Sequence, residues 1–163
     1  MYDHILGTIY SKQPTSLVIR TQGIGYSLHI SLSTYDALPL EGEECLIFTY
    51  LQVREDALTL YGFLSQEERA FFIKLTSISG IGPATAIRIM SGSTVDQLIT
   101  AIQSGNTGVL SKIKGIGKKT AERLVLELKD KLISLADDKT TLHMLTSPSM
   151  RKGGPYEEVL SAL

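Results

Sequence analysis

The spacing of hydrophobic and polar residues changes once along the chain, near residue 65. Before that point, short runs rich in Ile, Val, Leu, Tyr and Thr alternate with polar turns, which is typical of β-strands. After it, apolar residues recur every three or four positions, as they do in amphipathic helices. The pattern predicts a β-domain over residues 1–64 and an all-α domain over residues 65–135.

The β-domain is predicted to be a small closed barrel. Its five predicted strands cover residues 4–10, 16–21, 26–31, 45–53 and 57–63. Five short antiparallel strands in so small a domain are typical of the OB type of barrel, and a short helical piece is predicted near residues 33–38. A generic five-stranded β-domain is the alternative, because periodicity does not show whether the sheet closes.

The all-α domain is predicted to contain about five helices, and local signals mark where they begin. Ser65 and Glu68 have the spacing of a capping box, which predicts a helix start. Pro83 suits the first position of another helix, because that position needs no backbone N–H donor. Ser93 is predicted to cap the helix that follows.

One stretch of the helical half occurs twice. LTSISGIGPATAIRIM (residues 75–90) aligns with LSKIKGIGKKTAERLV (residues 110–125) at an offset of 35 residues, with half of the positions identical. Each copy has an apolar helix end, a Gly-Ile-Gly turn and a second helix. In the second copy the apolar residues of that helix fall on one face, and they are Ala121, Leu124, Val125, Leu128 and Leu132.

The two Gly-Ile-Gly turns are candidate phosphate-binding sites. Two glycines allow a tight turn that exposes backbone N–H groups, and the first N–H groups of a helix lack partners within it. Lys118, Lys119 and Thr120 fall in the first helical turn after the second hairpin. Such a helix start binds anions, and the pattern resembles the helix-hairpin-helix motif, which binds DNA backbone without sequence preference. Similar turns also join ordinary packed helices, but two copies at a fixed offset favour DNA binding.

The net charge of the chain changes at the same point as the spacing of its hydrophobic residues. The net charge is −1 overall, but residues 1–64 carry −4 (three basic, seven acidic) and residues 65–131 carry +4 (ten basic, six acidic). The basic excess therefore lies with the two hairpins. Between the last two predicted strands, Glu55 and Asp56 form an acidic tip. This tip is either a solvated turn or a group that repels phosphates and so selects a DNA shape.

Composition argues against several classes of protein. No run of 18 apolar residues predicts a membrane span, and the N-terminus lacks the features of a secretory signal, so a cytoplasmic protein is expected. The single cysteine, Cys45, allows no disulfide within the chain, and the three histidines are too scattered to predict a metal site. There is no G-x-x-x-x-G-K-[ST] loop, so any ATP hydrolysis is expected to come from a partner, and no cofactor is expected.

The last 28 residues have a different composition. Residues 136–155 gather Ser, Thr, Pro and Gly without a sustained period, which predicts a flexible linker. Residues 156–163 (YEEVLSAL) are predicted to begin a helix whose apolar residues have nothing to pack on within so short a segment. The expectation is that a third, incomplete domain begins here, or that this helix docks on a partner.

Two signatures together carry a family resemblance. VREDALTLYGF (residues 53–63) ends the predicted barrel, and GIGKKTAERLVLELKDK (residues 115–131) contains the second hairpin. With the first hairpin and the linker, they closely resemble the RuvA family, the Holliday-junction-binding subunits of bacterial branch-migration complexes. The resemblance covers about residues 1–135, and it implies a DNA-binding subunit without catalytic, cofactor or metal sites.

The resemblance implies a role for particular residues. The hairpins would hold DNA phosphates through the minor groove, with contacts from Gly80, Ile81, Gly82, Pro83, Ala84, Gly115, Ile116, Gly117, Lys118, Lys119, Thr120 and Arg123. Glu55 and Asp56 match an acidic pin at the crossover of an open, square-planar junction. Ala84 departs from the family, which often has a lysine there, so the first hairpin would rely more on backbone amides.

The resemblance also implies partners. A tetramer would place one protomer on each arm of four-way junction DNA, and two tetramers could enclose it. The RuvB ATPase, which a complete third domain would dock, and the RuvC resolvase are the implied protein partners. Only residues 156–163 correspond to that domain, so the resemblance implies motor docking less strongly than junction binding.

Two other functions are compatible with tandem hairpins. A helix-hairpin-helix glycosylase would need a catalytic Asp in a deep base pocket. Asp130, Asp137 and Asp138 lie downstream, but the α-domain is too small to build that pocket. A generic duplex-binding adaptor is the stronger alternative, and the acidic tip separates it from a junction binder because only the latter needs those charges.

Overall fold

The computed structural model of the protein describes residues 2–129. Five strands form a closed barrel in the order β1-β2-β3-β5-β4, and they are β1 (His4–Gln13), β2 (Ser16–Thr21), β3 (Ile24–His29), β4 (Glu44–Val53) and β5 (Leu58–Phe63). Helix α1 (Leu32–Ala37) connects β3 to β4. The prediction of a small closed OB-type barrel is therefore confirmed. The predicted linker and final helix lie outside the described residues.

The barrel is closed by a parallel pair of strands. His29 of β3 pairs with Tyr61 of β5 in parallel, while the other four neighbouring pairs are antiparallel. The expectation of five antiparallel strands was wrong in this respect. An odd number of strands in a closed ring cannot alternate in direction at every neighbour, so at least one pair must be parallel.

Two strands, β3 and β1, differ from their predicted bounds by two residues or more. β3 begins at Ile24, two residues early, because Gln22 (φ 47°) and Gly23 (φ 84°) complete the turn before it. It ends at His29 because Ser31 already caps α1, accepting a hydrogen bond from the Thr34 N–H at 3.1 Å. β1 runs on to Gln13 through an irregularity in its pairing with β2.

Alternate residues of the strands fill the barrel. The core consists of buried aliphatic side chains, namely Ile5, Ile9, Leu17, Ile19, Leu28, Ile30, Leu38, Ile47 and Leu60. Gly7 lies where β1 approaches β2 most closely, because a Cβ there would be 2.5 Å from the backbone oxygen of Arg20. No larger residue is compatible with this approach.

The second half is helical, as predicted. Its helices are α2 (Gln66–Thr76), α3 (Pro83–Gly92), α4 (Val95–Gln103), α5 (Thr107–Leu110) and α6, which is described over residues 118–129. Ser65 caps α2 by accepting from the Glu68 N–H at 3.2 Å, as predicted. The prediction that Ser93 caps α4 was wrong by one residue. Thr94 is the cap and forms a reciprocal capping box with Gln97.

An aromatic cluster joins α2 to the barrel. The ring of Phe72 is fully buried, with centroids 5.3 Å from Tyr50, 5.1 Å from Tyr61 and 5.0 Å from Phe63. These three partners lie on β4 and β5. Helix α2 leads into the first hairpin, and the acidic tip lies between β4 and β5. The contacts of Phe72 therefore connect the hairpin side of the molecule to the strands that flank the tip.

Polar contacts also join the barrel to the helices. Ser33 Oγ of α1 donates to the Met90 carbonyl of α3 at 2.8 Å. Arg69 Nη1 of α2 donates to the Asp3 carboxylate at 2.7 Å. Hydrogen bonds from His4 and from Arg69 lower the pKa of Asp3. The barrel and the helices accordingly belong to one compact unit.

Candidate nucleic-acid interface

The two predicted hairpins have the same backbone geometry. In the first, the Ile81 N–H donates to the Ile78 carbonyl at 3.0 Å. In the second, the Ile116 N–H donates to the Ile113 carbonyl at 2.9 Å. The first glycine of each turn has a left-handed φ, 86° at Gly80 and 88° at Gly115, which only glycine adopts without strain. The sequence repeat is therefore also a structural repeat.

Neither backbone conformation nor packing requires glycine at the second glycine of each hairpin. Gly82 has an ordinary φ of −83°, and Gly117 is not in the left-handed region. A Cβ built on either residue would meet no atom within 4 Å. Because neither conformation nor packing excludes a side chain, the absence of one leaves the backbone open to approach from outside the chain.

The helix starts beside these glycines present unpaired donors. α3 begins at Gly82 without a side-chain cap, and its first residue, Pro83, has no N–H. α6 begins at residue 118, directly after the exposed Gly117. The first N–H groups of a helix, together with its dipole, attract anions. In α3 the Thr85 N–H already donates to the Gly82 carbonyl at 3.0 Å. The exposed backbone at each helix start is therefore that of Gly82 and Ala84 in the first hairpin and that of Gly117 and Lys118 in the second.

The isoleucines between the glycines point inward. The side chain of Ile81 is 3% exposed and that of Ile116 is 4% exposed, so both belong to the core of the helical half. Of these two predicted contact residues, only the backbone can reach a ligand. Their side chains instead fix the hairpins on the helices.

Charge at the two hairpins is unequal. Lys118 and Lys119 are exposed in the first turn of α6, and Thr120 is half-buried beside them. No carboxylate within residues 2–129 forms a salt bridge with either lysine. The corresponding residues of α3 are Pro83 and the exposed Ala84, which carry no charge.

Arg123 was predicted to contact DNA. In the structure, its guanidinium group has partners within the protein. Its Nη1 donates to the Ser79 carbonyl of the first hairpin at 3.0 Å, and its Nε lies 3.3 Å from Glu127 Oε1. Arg88, its counterpart in the first repeat, lies against the second hairpin, with Nη1 2.7 Å from where a Gly115 Cβ would be. The arginine of each repeat thus lies close to the hairpin of the other, and Arg123 forms a hydrogen bond there.

Sequence reasoning did not find this reciprocal contact. The available signal was that both arginines occupy the same position of the repeat, on the face of each helix opposite its buried residues. An arginine retained on a solvent face in two diverged copies has a role besides solubility. The hydrogen bond from Arg123 to the Ser79 carbonyl links the helix of the second repeat to the first hairpin.

The acidic tip belongs to the barrel. Glu55 and Asp56 are exposed in the bend between β4 and β5, which the Arg54 N–H closes by donating to the Ala57 carbonyl at 2.9 Å. No hydrogen bond or salt bridge described for residues 2–129 joins the tip to either hairpin. The two carboxylates are therefore free to face a ligand that spans barrel and helices.

Residues 2–129 contain neither a candidate metal cluster nor a candidate membrane-spanning helix. No three His, Cys, Asp or Glu side chains there are grouped so as to hold a metal ion. Among the helices of that part, none is both long and apolar enough to cross a membrane.

Comparison with known families assigns both halves of the chain. A family model described as the RuvA N terminal domain matches residues 1–62. A second model, described as a SAM-like helix-hairpin-helix tandem, matches residues 72–130. The first therefore covers the barrel and the second covers both hairpins.

Individual relatives match along most of their length. A protein of Acidobacterium capsulatum is 42% identical over 163 residues, which is 100% of this chain and 80% of the relative. One from Solibacter usitatus is 44% identical over 158 residues, 96% and 78% of the two chains. One from Pectobacterium atrosepticum is 40% identical over 169 residues, 100% and 82%. Each is named Holliday junction branch migration complex subunit RuvA.

Proposed function

We propose that this chain, which belongs to the RuvA family, binds four-way junction DNA as the DNA-binding subunit of a branch-migration complex. The observation that carries the proposal is the pair of equivalent hairpins with open second glycines. The names of the relatives, which refer to the Holliday junction, support it.

The hairpins act on the DNA backbone. The N–H groups next to Gly82 and Gly117 donate to phosphate oxygens, and the absence of a Cβ lets the phosphate approach. Lys118 and Lys119 add charge, and Thr120 adds a hydroxyl group. Because phosphates carry no sequence information, binding is independent of base sequence. Gly80, Gly115 and Arg123 act indirectly, by shaping and spacing the hairpins.

The acidic tip selects the shape of the DNA. Glu55 and Asp56 lie at the crossover, where an open, square-planar junction keeps its phosphates away from the centre. A continuous duplex would bring phosphates close to these carboxylates, and each such approach costs about 1 kcal/mol in water and more where solvent is excluded. The tip therefore disfavours duplex and leaves the junction as the preferred ligand.

Four copies are needed to engage four arms. We propose a tetramer with one protomer per arm, with or without a second tetramer on the opposite face. The chain has no catalytic site or cofactor of its own in this scheme. The RuvB ATPase supplies the motor, the RuvC resolvase shares the junction, and the complex works in the cytoplasm. Residues 65–135 serve as the DNA-binding domain, residues 136–155 as a linker and residues 156–163 as the start of a motor-docking domain.

Neutralising the hairpin lysines tests the backbone contact. The double variant Lys118→Ala/Lys119→Ala is expected to weaken binding equally on DNA of different sequences. The slope of log K against log salt should fall by about one unit per lost phosphate contact. Fluorescence anisotropy at several salt concentrations measures both quantities.

Lys129→Ala is the matched control for this variant. Lys129 is exposed on the same helix, about 16 Å further along its axis at 1.5 Å per residue, so its loss should change neither quantity. An unchanged slope in the double variant would remove Lys118 and Lys119 from the interface.

Neutralising the acidic tip tests shape selection. Glu55→Gln/Asp56→Asn keeps the side-chain shapes, and it is expected to tighten duplex binding by about five-fold or more, from about 1 kcal/mol of lost repulsion. Junction binding should change less, so the preference for four-way DNA falls. Competition titration of the two DNAs measures the ratio of affinities.

Asp36→Asn, an exposed charge on α1 of the same barrel, is the control for net charge. If it changes the ratio as much as the tip variant does, or if the tip variant leaves the ratio unchanged, Glu55 and Asp56 form an ordinary solvated turn.

A further inference from the structure

A basic groove lies beside the second hairpin. Its volume is about 460 Å³, and Arg88 from α3 together with Lys112 and Lys114, which precede the second hairpin, line it. Ile113 forms an apolar wall, close enough that a Cβ on Gly92 would be 2.9 Å from its side chain. Three cationic side chains of two separate segments thus converge on one concave surface.

The hydroxyl groups of this groove are occupied by the protein. Ser91 Oγ donates to the Ile87 carbonyl at 2.8 Å and accepts from the Leu32 N–H at 2.9 Å. Ser93 Oγ donates to the Gly92 carbonyl at 2.6 Å. The three cations are therefore the groups that remain to meet a ligand.

No acidic residue lines the groove. In the described part of the chain, the salt bridges involve other residues and leave Arg88, Lys112 and Lys114 without a carboxylate partner. Like charges on one concave surface repel each other, and an anion between them removes that repulsion. The groove therefore has the electrostatic character of an anion site.

The first repeat supplies an internal comparison. At the offset of 35 residues, the counterparts of Arg88, Lys112, Lys114 and Gly92 are Arg123, Ser77, Ser79 and Glu127. There, the arginine is neutralised by Glu127 at 3.3 Å, and the lysines are replaced by serines. The same hairpin fold thus forms with a different charge pattern. The cations beside the second hairpin are not required by the fold, so a ligand is the better explanation for them.

The position of the groove identifies the anion. Lys114 directly precedes Gly115, and Arg88 Nη1 lies 2.7 Å from where the Gly115 Cβ would be. The groove thus extends to the residue that directly precedes the second hairpin, beside Gly115. We propose that it binds a further backbone phosphate of the DNA arm, so that the second hairpin side holds two phosphates of the arm and the first hairpin holds one. This inference rests on the proposed DNA-binding function.

The two hairpins then bind DNA with unequal strength. The first relies on backbone amides near Ala84, whereas the second has Lys118 and Lys119 on one side and the groove on the other. The second hairpin is then the principal anchor of each arm, and salt affects it most.

Charge removal in the groove tests the proposal. The variant Lys112→Gln/Lys114→Gln is expected to weaken binding to both linear duplex and junction by about 10-fold or more, the loss of charge-assisted hydrogen bonds to one phosphate. The salt slope should fall by about one unit. Arg88 is left in place so that its position beside Gly115 is kept, and an unchanged melting temperature shows that the fold is intact. Lys129→Gln serves as the control.

A second measurement does not depend on affinity. Lysine acetylation of the whole chain, read by mass spectrometry with and without duplex, is expected to show protection of Lys112 and Lys114 but not of Lys129. Suppose that the groove variant binds DNA with unchanged affinity, that duplex does not protect Lys112 and Lys114, and that Lys118→Ala/Lys119→Ala still binds more weakly. This result would overturn the proposed phosphate site in the groove and leave the proposed function intact. The groove would then be open to an acidic protein segment instead. If neither variant is impaired, both proposals fail.

Discussion

Replacing Gly82 and Gly117 together by alanine is expected to remove most of the DNA binding while leaving the fold in place. Each added methyl group points into open space in the protein, at the site proposed for a phosphate. The loss of charge-assisted hydrogen bonds at two hairpins amounts to roughly 3–6 kcal/mol, a weakening of about 10²- to 10⁴-fold. Titration of labelled junction DNA measures the effect.

Folding of this variant should change little. Alanine is a poorer helix cap than glycine, but it also restricts the unfolded chain, so the two effects offset each other to within about 1 kcal/mol. Gly108→Ala is the matched control, because Gly108 is exposed in the same half and a Cβ there meets only Asn106 Oδ1 at 3.4 Å. If the double variant binds DNA as well as Gly108→Ala does, no phosphate approaches these two glycines.

Replacing Phe72 by alanine is expected to have the largest effect on stability. Its ring is fully buried against Tyr50, Tyr61 and Phe63, and removing such a ring costs about 3–5 kcal/mol. For a chain of this size that lowers the melting temperature by roughly 6–20 °C. Because the lost contacts join α2 to β4 and β5, the position of the acidic tip relative to the hairpins should also become less fixed.

Ile73→Ala is the control for this substitution, since Ile73 is the next residue on the same helix and is 44% exposed. Differential scanning calorimetry of both variants compares the costs, and junction preference is measured well below both transitions. Equal melting temperatures in the two variants would show that the aromatic cluster does not hold barrel and helices together.

Features encoded locally in the sequence were predictable. The change from alternating residues to helical spacing follows from which side chains are buried, and burial in strands and helices has a fixed period. The hairpins were predictable because two copies of one pattern, including Gly80 and Gly115, share the same unusual backbone. The barrel and the tandem hairpins could accordingly be derived before the structure.

Features that depend on contacts between distant residues were not predictable. The bond from Arg123 to Ser79 spans 44 residues, and no periodicity records it. The groove likewise combines Arg88 of one repeat with Lys112 and Lys114 of the other. The cap at Thr94 was missed for a different reason. Ser93 and Thr94 are both good caps, and only the backbone conformation decides between them.

The central claim is that the chain recognises the shape of a four-way junction. The most direct test is a titration of the full chain on a four-way junction and on linear duplex with the same arm sequences, at two salt concentrations and with excess competitor duplex. The account predicts a large preference for the junction that survives the higher salt, because shape selection by Glu55 and Asp56 is added to backbone binding by the hairpins. Equal affinities that fall together with salt would contradict it and would identify the chain as a generic duplex-binding adaptor.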